Sequence, residues 1–141
     1  MLLAAILFVG AFNRRNAALA GAPLATRPTG ALRITRHPMN WAFAIWAVVH
    51  GALAGRTATL VLTGAIFTLA IVGSALQEVK KRRADPGWAN YARQTSFFPF
   101  AKGRFWPGAV PVVGGILIII LASWLHPQLG APAIPPLVWF T

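Results

Sequence analysis

Residues 33–50 read RITRHPMNWAFAIWAVVH, so a basic loop runs directly into an apolar helix. His37 stands before Pro38 at the predicted start of this helix, and His50 stands near its other end. A run this apolar favours a helix that lies in a membrane. Because polar side chains at membrane depth are costly and tend to be functional, the two histidines are the first candidates for a functional site.

The composition indicates a single membrane domain that covers residues 1–141. Hydrophobic residues make up 57% of the chain and charged residues 11%, which is less charge than soluble domains carry. The hydrophobic residues form long runs, which predict four apolar segments: residues 2–12, 39–54, 57–76 and 105–125. We therefore expect an all-α fold, a polytopic membrane helical bundle with about four transmembrane segments.

The first apolar segment, residues 2–12, is short for a membrane helix. A complete span needs about 20 residues, so this segment predicts a partial or strongly tilted span. A remnant of a longer N-terminal region is a second interpretation. At the other end of the chain, several prolines follow Leu125, so the tail is not expected to be helical throughout.

The basic residues predict contact with the lipid bilayer and no nucleic acid. The chain has 13 Lys and Arg residues against two acids, Glu78 and Asp85, and a formal net charge of +11. Most of the basic residues lie in two loops, 13–37 and 77–104. The positive-inside rule places both loops in the cytoplasm and both termini outside, and anionic lipid headgroups are the expected partners of the basic loops.

Three histidines are the candidate cofactor-binding residues, and other chemistry has little support. The chain has no cysteine and no Ser-His-Asp set, carboxylate pair or Gly-rich phosphate loop. His37 and His50 lie about 20 Å apart along one helix, so they cannot bind the same metal ion. His126 and His50 are expected at similar depth on different helices and could approach each other. His50 is the candidate metal ligand, although each histidine has a plainer interpretation as an interfacial or loop residue.

Small residues form a stripe along the predicted second helix. The stripe consists of Asn40, Ala44, Ala47, Gly51 and Ala54. Helix packing is one interpretation, and the close approach of a flat cofactor is the other. In the second case the stripe would bound a pocket for His50, and the residue that orients His50 is expected on another helix. Glu78 precedes four basic residues, and an i,i+4 ion pair with Arg82 is the simplest account of it.

The stretch from Leu32 to His50 resembles the central signature of the NnrU family, which includes plant 15-cis-ζ-carotene isomerase. Further matching motifs are RQTS at 93–96 leading to PF at 99–100, GR at 103–104 and WLHP at 124–127. The resemblance covers roughly residues 2–127. It implies a multi-span membrane protein, in the bacterial inner membrane, with a link to nitrite and nitric oxide metabolism. The isomerase branch implies instead a redox-dependent isomerisation of a lipophilic polyene such as ζ-carotene.

The same resemblance implies a cofactor. In the isomerase branch a histidine holds haem b, and the matching histidine in this sequence is His50. The second ligand of that branch lies on an upstream helix that this sequence does not match. The iron is then expected to be five-coordinate, or to take a second ligand from a partner, from a second copy of the chain or from His126.

A second, more distant resemblance links other residues. Arg36-His37-Pro38, Glu78, the PGWANY run at 86–91 and Pro99 resemble the C-terminal half of isoprenylcysteine-type membrane methyltransferases. This resemblance implies binding of S-adenosylmethionine at the cytoplasmic face. The tyrosine usual after the His-Pro pair is replaced by Met39-Asn40. A non-catalytic membrane scaffold or assembly protein is the third class that remains open.

Overall fold

The computed structural model describes residues 1–13, 16, 27–53 and 55–130. This part of the chain is all-helical, as predicted, and contains no strand. Its helices are α1 (Leu2–Ala11), α2 (Pro38–Ala52), α3 (Thr57–Ala84), α4 (Trp88–Gln94) and α5 (Ala109–Gln128), with a short 3-10 helix at Gly30–Arg33. The predictions for Arg14, Arg15, Ala54 and the last eleven residues of the tail, 131–141, fall outside the described residues.

The predicted apolar segments are helical, but some of their ends differ. α2 begins at Pro38 with His37 as its N-terminal cap residue, because proline has no backbone N–H and suits the first helical turn. α3 continues past residue 76 to Ala84, where the sequence suggested a loop. The fourth segment begins at Ala109 and not at residue 105, because Pro107 and a left-handed Gly108 with φ of 98° precede it.

Two of the described helices, α3 and α5, are long and apolar enough to cross a membrane. Each has a window of mean hydropathy 2.1, of which 17% is buried in α3 and 6% in α5. α1 has 10 residues and α2 has 15, fewer than the roughly 20 that a span requires. The count of about four transmembrane segments stays a prediction.

The helices pack in the order α5, α1, α2, α3, with α1 between α5 and α2. Close backbone approach on both sides of α1 depends on glycine. A Cβ atom at Gly115 of α5 would lie 2.7 Å from Cγ1 of Ile6, and one at Gly10 would lie 2.3 Å from Cβ of Ala31. These separations are shorter than carbon–carbon contacts allow, so the glycines permit α1 to pack tightly against its neighbours.

The segment after α4 packs beneath the start of α2. The Arg36 N–H donates to the Ser96 carbonyl at 2.9 Å, and the Phe100 N–H donates to the Ile34 carbonyl at 3.1 Å. The indole N–H of Trp41 donates to the Phe97 carbonyl at 2.8 Å. These bonds hold the loop before α2 in a fixed, buried conformation, and that loop carries Arg36 and His37.

Candidate functional site

An apolar cavity of about 390 Å³ lies between α1, α2 and α5 and also contacts α3. Its lining residues are Met1, Ala4, Ala5, Phe8, Ala42, Phe43, Trp46, His50, Ile66, Ile118, Ile119, Ala122, Ser123 and His126. The polar groups among these side chains are the imidazoles of His50 and His126, the Ser123 hydroxyl and the Trp46 indole N–H. Such a cavity, apolar with a few convergent polar groups, is typical of a ligand or cofactor site.

His50 and His126 are oriented in the same way by their own helices. Nδ1 of His50 lies 2.9 Å from the Trp46 carbonyl oxygen, and Nδ1 of His126 lies 2.8 Å from the Ala122 carbonyl oxygen. A carbonyl oxygen can only accept, so each Nδ1 carries the hydrogen and donates it. In the neutral imidazole this leaves Nε2 with a free lone pair, which is the arrangement of a histidine prepared to bind a metal.

The residue that orients His50 lies on the same helix and not on another one. The prediction of a partner from a different helix is therefore wrong. The Trp46 carbonyl has two lone pairs, so it can accept both the helical N–H bond and the side-chain Nδ1–H of His50. The Trp46 ring also stacks on the His50 ring, with centroids 4.1 Å apart and planes 23° apart. One preceding turn of helix thus fixes both the tautomer and the ring plane.

The structure brings His50 and His126 close together across the cavity. Their ring centroids are 6.3 Å apart and their planes differ by 37°. Both imidazoles line the cavity, so these two residues would hold a metal or cofactor there.

The small-residue stripe of α2 packs against α3 and does not bound the cavity as a whole. The Asn40 amide donates to the Ser74 hydroxyl at 2.7 Å, and a Cβ atom at Gly51 would lie 3.0 Å from Oγ1 of Thr63. The packing interpretation of the stripe is the one that these contacts support. The cavity is bounded by the neighbouring face of α2, which presents Ala42, Phe43, Trp46 and His50.

A second cluster of side chains surrounds Glu78, which lies near the C-terminal end of α3 and away from His50. The Glu78 carboxylate accepts from Nε of Arg36, from Nε2 of His37 at 2.7 Å and from the indole N–H of Trp88 at 3.3 Å. Arg36 also donates to the Thr95 carbonyl at 3.3 Å. Arg36, His37 and Glu78 are each more than nine-tenths buried as whole residues, so the cluster joins α2, α3 and α4 through an internal ion pair.

The predicted pair of Glu78 and Arg82 is the weakest of these contacts. Their Oε2 and Nε atoms are 4.0 Å apart, and the Arg82 side chain is 66% exposed. An exposed pair at this distance contributes little to stability. Sequence reasoning thus missed the partners that matter, Arg36 and His37, which lie more than forty positions earlier in the chain. The sequence did contain one signal for this pairing, because Glu78 is one of only two acids. A buried acid needs a cationic partner.

Two polar atoms within this cluster have no hydrogen-bond partner in the described part of the chain. They are Nδ1 of His37 and the hydroxyl of Tyr91. Burial raises the pKa of Tyr91 to about 12, with the charge of Arg36 opposing the rise and that of Glu78 adding to it. Tyr91 is therefore neutral at physiological pH, and its buried hydroxyl has no hydrogen-bond partner among the described residues.

The three predicted site histidines fall into two separate places. His50 and His126 line the cavity, whereas His37 is fixed by Glu78 at the other end of α2. This agrees with the expectation that His37 and His50 cannot share a metal ion. Within residues 1–13, 16, 27–53 and 55–130, no group of three or more His, Cys, Asp or Glu residues is placed to hold a metal ion.

The described residues define a class: an all-helical fold with two helices long and apolar enough to cross a membrane and a histidine pair in an apolar cavity. The chain belongs to the NnrU family, because the family model described as NnrU protein matches residues 1–133. No curated protein and no solved structure matches the chain. The resemblance to NnrU is thus confirmed, and the resemblance to membrane methyltransferases gains no support from these comparisons.

Proposed function

We propose that this NnrU-family protein is a multi-pass protein of the bacterial inner membrane that binds haem b between His50 and His126. The observation that carries the proposal is the pair of cavity imidazoles. Both have Nδ1–H held by a backbone carbonyl, and their centroids are 6.3 Å apart. The apolar lining suits a macrocycle whose faces are hydrophobic. In this proposal both histidines that would hold the haem come from one chain.

The residues around the histidines have distinct tasks in this proposal. The Trp46 and Ala122 carbonyls keep each Nε2 unprotonated and increase its basicity. Phe8 and Phe43, with ring centroids 6.0 Å apart, line the cavity and exclude water. When bound, the haem would supply a one-electron redox centre. That chemistry suits either of the two activities expected for the family, nitrite and nitric oxide metabolism or the isomerisation of a polyene.

The haem content of purified protein tests the proposal directly. We expect a Soret band in the wild type or after reconstitution, and a loss or large shift of that band in His50→Ala and in His126→Ala. Ser123→Ala is the matched control, because Ser123 lines the same cavity without an imidazole. An unchanged haem spectrum in both histidine variants would show that neither is a ligand. No haem in the wild type after reconstitution would favour the scaffold interpretation.

The methyltransferase alternative has one structural observation in its favour and one against it. The residues of that resemblance do converge, since Arg36, His37 and Trp88 all donate to Glu78. All three donors are used within the protein by the Glu78 carboxylate. The cluster therefore resembles a structural ion pair more than a binding site for S-adenosylmethionine.

A further inference from the structure

The outer face of α3 carries a groove that is apolar at one end and basic at the other. The groove is shallow and is lined by Leu76, Val79, Lys80, Arg83 and Ala84, all of which belong to α3. These positions follow the i, i+3, i+4, i+7 spacing of one helical face. The apolar residues are exposed, Leu76 by 64% and Val79 by 46%. Leu69 continues the stripe toward the middle of the helix and is 72% exposed.

Among the described residues, neither basic residue of this groove forms an ion pair with an acidic side chain. Glu78 and Asp85 are the only acids. The Glu78 carboxylate accepts from Arg36 and His37, and the Asp85 carboxylate accepts from the Gly87 N–H at 2.8 Å. Lys80 and Arg83 therefore keep their positive charge without an acidic partner, and this charge attracts an anion from outside the chain.

The change from apolar to basic occurs at the level where α3 would leave the bilayer. α3 has 28 residues and is thus about 42 Å long, whereas the hydrocarbon core of a bilayer is about 30 Å thick. The last turns of α3 then reach the headgroup region, where lipid phosphates lie. Long basic side chains at such a level extend toward the phosphates while their stems stay on apolar surface.

We propose that this face of α3, residues 69–83, binds an anionic phospholipid. Lys80 and Arg83 hold the headgroup phosphate, and one acyl chain lies along Val79, Leu76 and Leu69. A second copy of the chain is a poor occupant, because a symmetric contact would bring the Lys80 and Arg83 side chains of two copies together. The inference rests on the proposed membrane placement and is independent of haem.

Lipid binding to the full chain in detergent micelles tests the site. Native mass spectrometry compares long-chain phosphatidylglycerol with phosphatidylcholine, and we expect a clear preference for phosphatidylglycerol. Each basic residue near an anionic headgroup favours binding by about five-fold. Lys80→Gln/Arg83→Gln should therefore weaken phosphatidylglycerol binding by roughly 30-fold. Lys81→Gln/Arg82→Gln is the matched control, because it removes the same charge from the same helix outside the groove.

The outcomes separate a defined site from general attraction. Equal losses in the two double variants, or no preference for phosphatidylglycerol in the wild type, would overturn the proposal. Competition by inorganic phosphate as strong as by phosphatidylglycerol would show that the acyl chain contributes nothing and would overturn it too. Release of the protein from membranes without detergent would instead overturn the membrane placement. Haem content is measured in the same samples and should not differ between the variants.

Discussion

Replacing Glu78 by glutamine should destabilise the protein strongly. The substitution keeps the size of the side chain but leaves Arg36, whose side chain is 10% exposed, without its counter-charge. It also weakens the acceptor for His37 and for the Trp88 indole. Removal of one partner from a buried ion pair costs about 3–5 kcal/mol. At roughly 3–4 °C per kcal/mol for a chain of this size, the thermal midpoint should fall by about 10 °C or more.

Circular dichroism of detergent-solubilised protein would measure this midpoint. Arg82→Gln is the control, because it removes the exposed contact to the same carboxylate at 4.0 Å and should cost less than about 1 kcal/mol. Arg36→Met/Glu78→Met should recover much of the loss, since no buried charge is then left unpaired. If Glu78→Gln and Arg82→Gln lower the midpoint equally, the buried pair does not stabilise the fold and the reasoning fails.

Three further substitutions and one ligand addition have opposite or null expected effects. Gly10→Ala should cost about 1–3 kcal/mol through overpacking, because the new Cβ would lie 2.3 Å from the Cβ of Ala31. A Cβ at Gly73 would have no atom within 4 Å, so Gly73→Ala should raise stability by about 0.5–1 kcal/mol. Shifts of the thermal midpoint in the same direction for both variants would contradict this. Tyr91→Phe removes a buried hydroxyl without a described partner, so the midpoint should be unchanged or higher, and a clear fall would reveal an acceptor. Calorimetry with S-adenosylmethionine should detect no binding, and binding that disappears in His37→Ala would establish the methyltransferase alternative.

The sequence predicted those parts of the fold that depend on local patterns. Apolar runs and Pro38 were enough to locate α2 and its first turn, since both effects act within one helix. The extension of α3 to Ala84 was missed because its polar residues suggested a loop. Those residues, Gln, Glu, Lys and Arg at 77–83, are strong helix formers, so intrinsic propensity outweighed the loss of hydrophobicity.

The candidate site was only partly predictable, because its contacts join residues that are far apart in the sequence. The expected equal depth of His50 and His126 suggested that they could meet, and their rings are in fact 6.3 Å apart. The bond that orients His50 was mispredicted because a second lone pair on the carbonyl one turn earlier was overlooked. The pairing of Arg36 with Glu78 depends on tertiary packing across forty-two positions, which no local pattern encodes.

The position of α1 between α2 and α5 has a consequence for the histidine pair. His50 belongs to α2 and His126 to α5, and each of those helices packs against α1. α1 therefore acts as a spacer whose width sets the gap between the two imidazoles. A bulkier or slimmer residue on its faces, far from either ring, would widen or narrow that gap. Substitutions in this ten-residue helix would therefore change the distance between the two imidazoles without replacing either histidine.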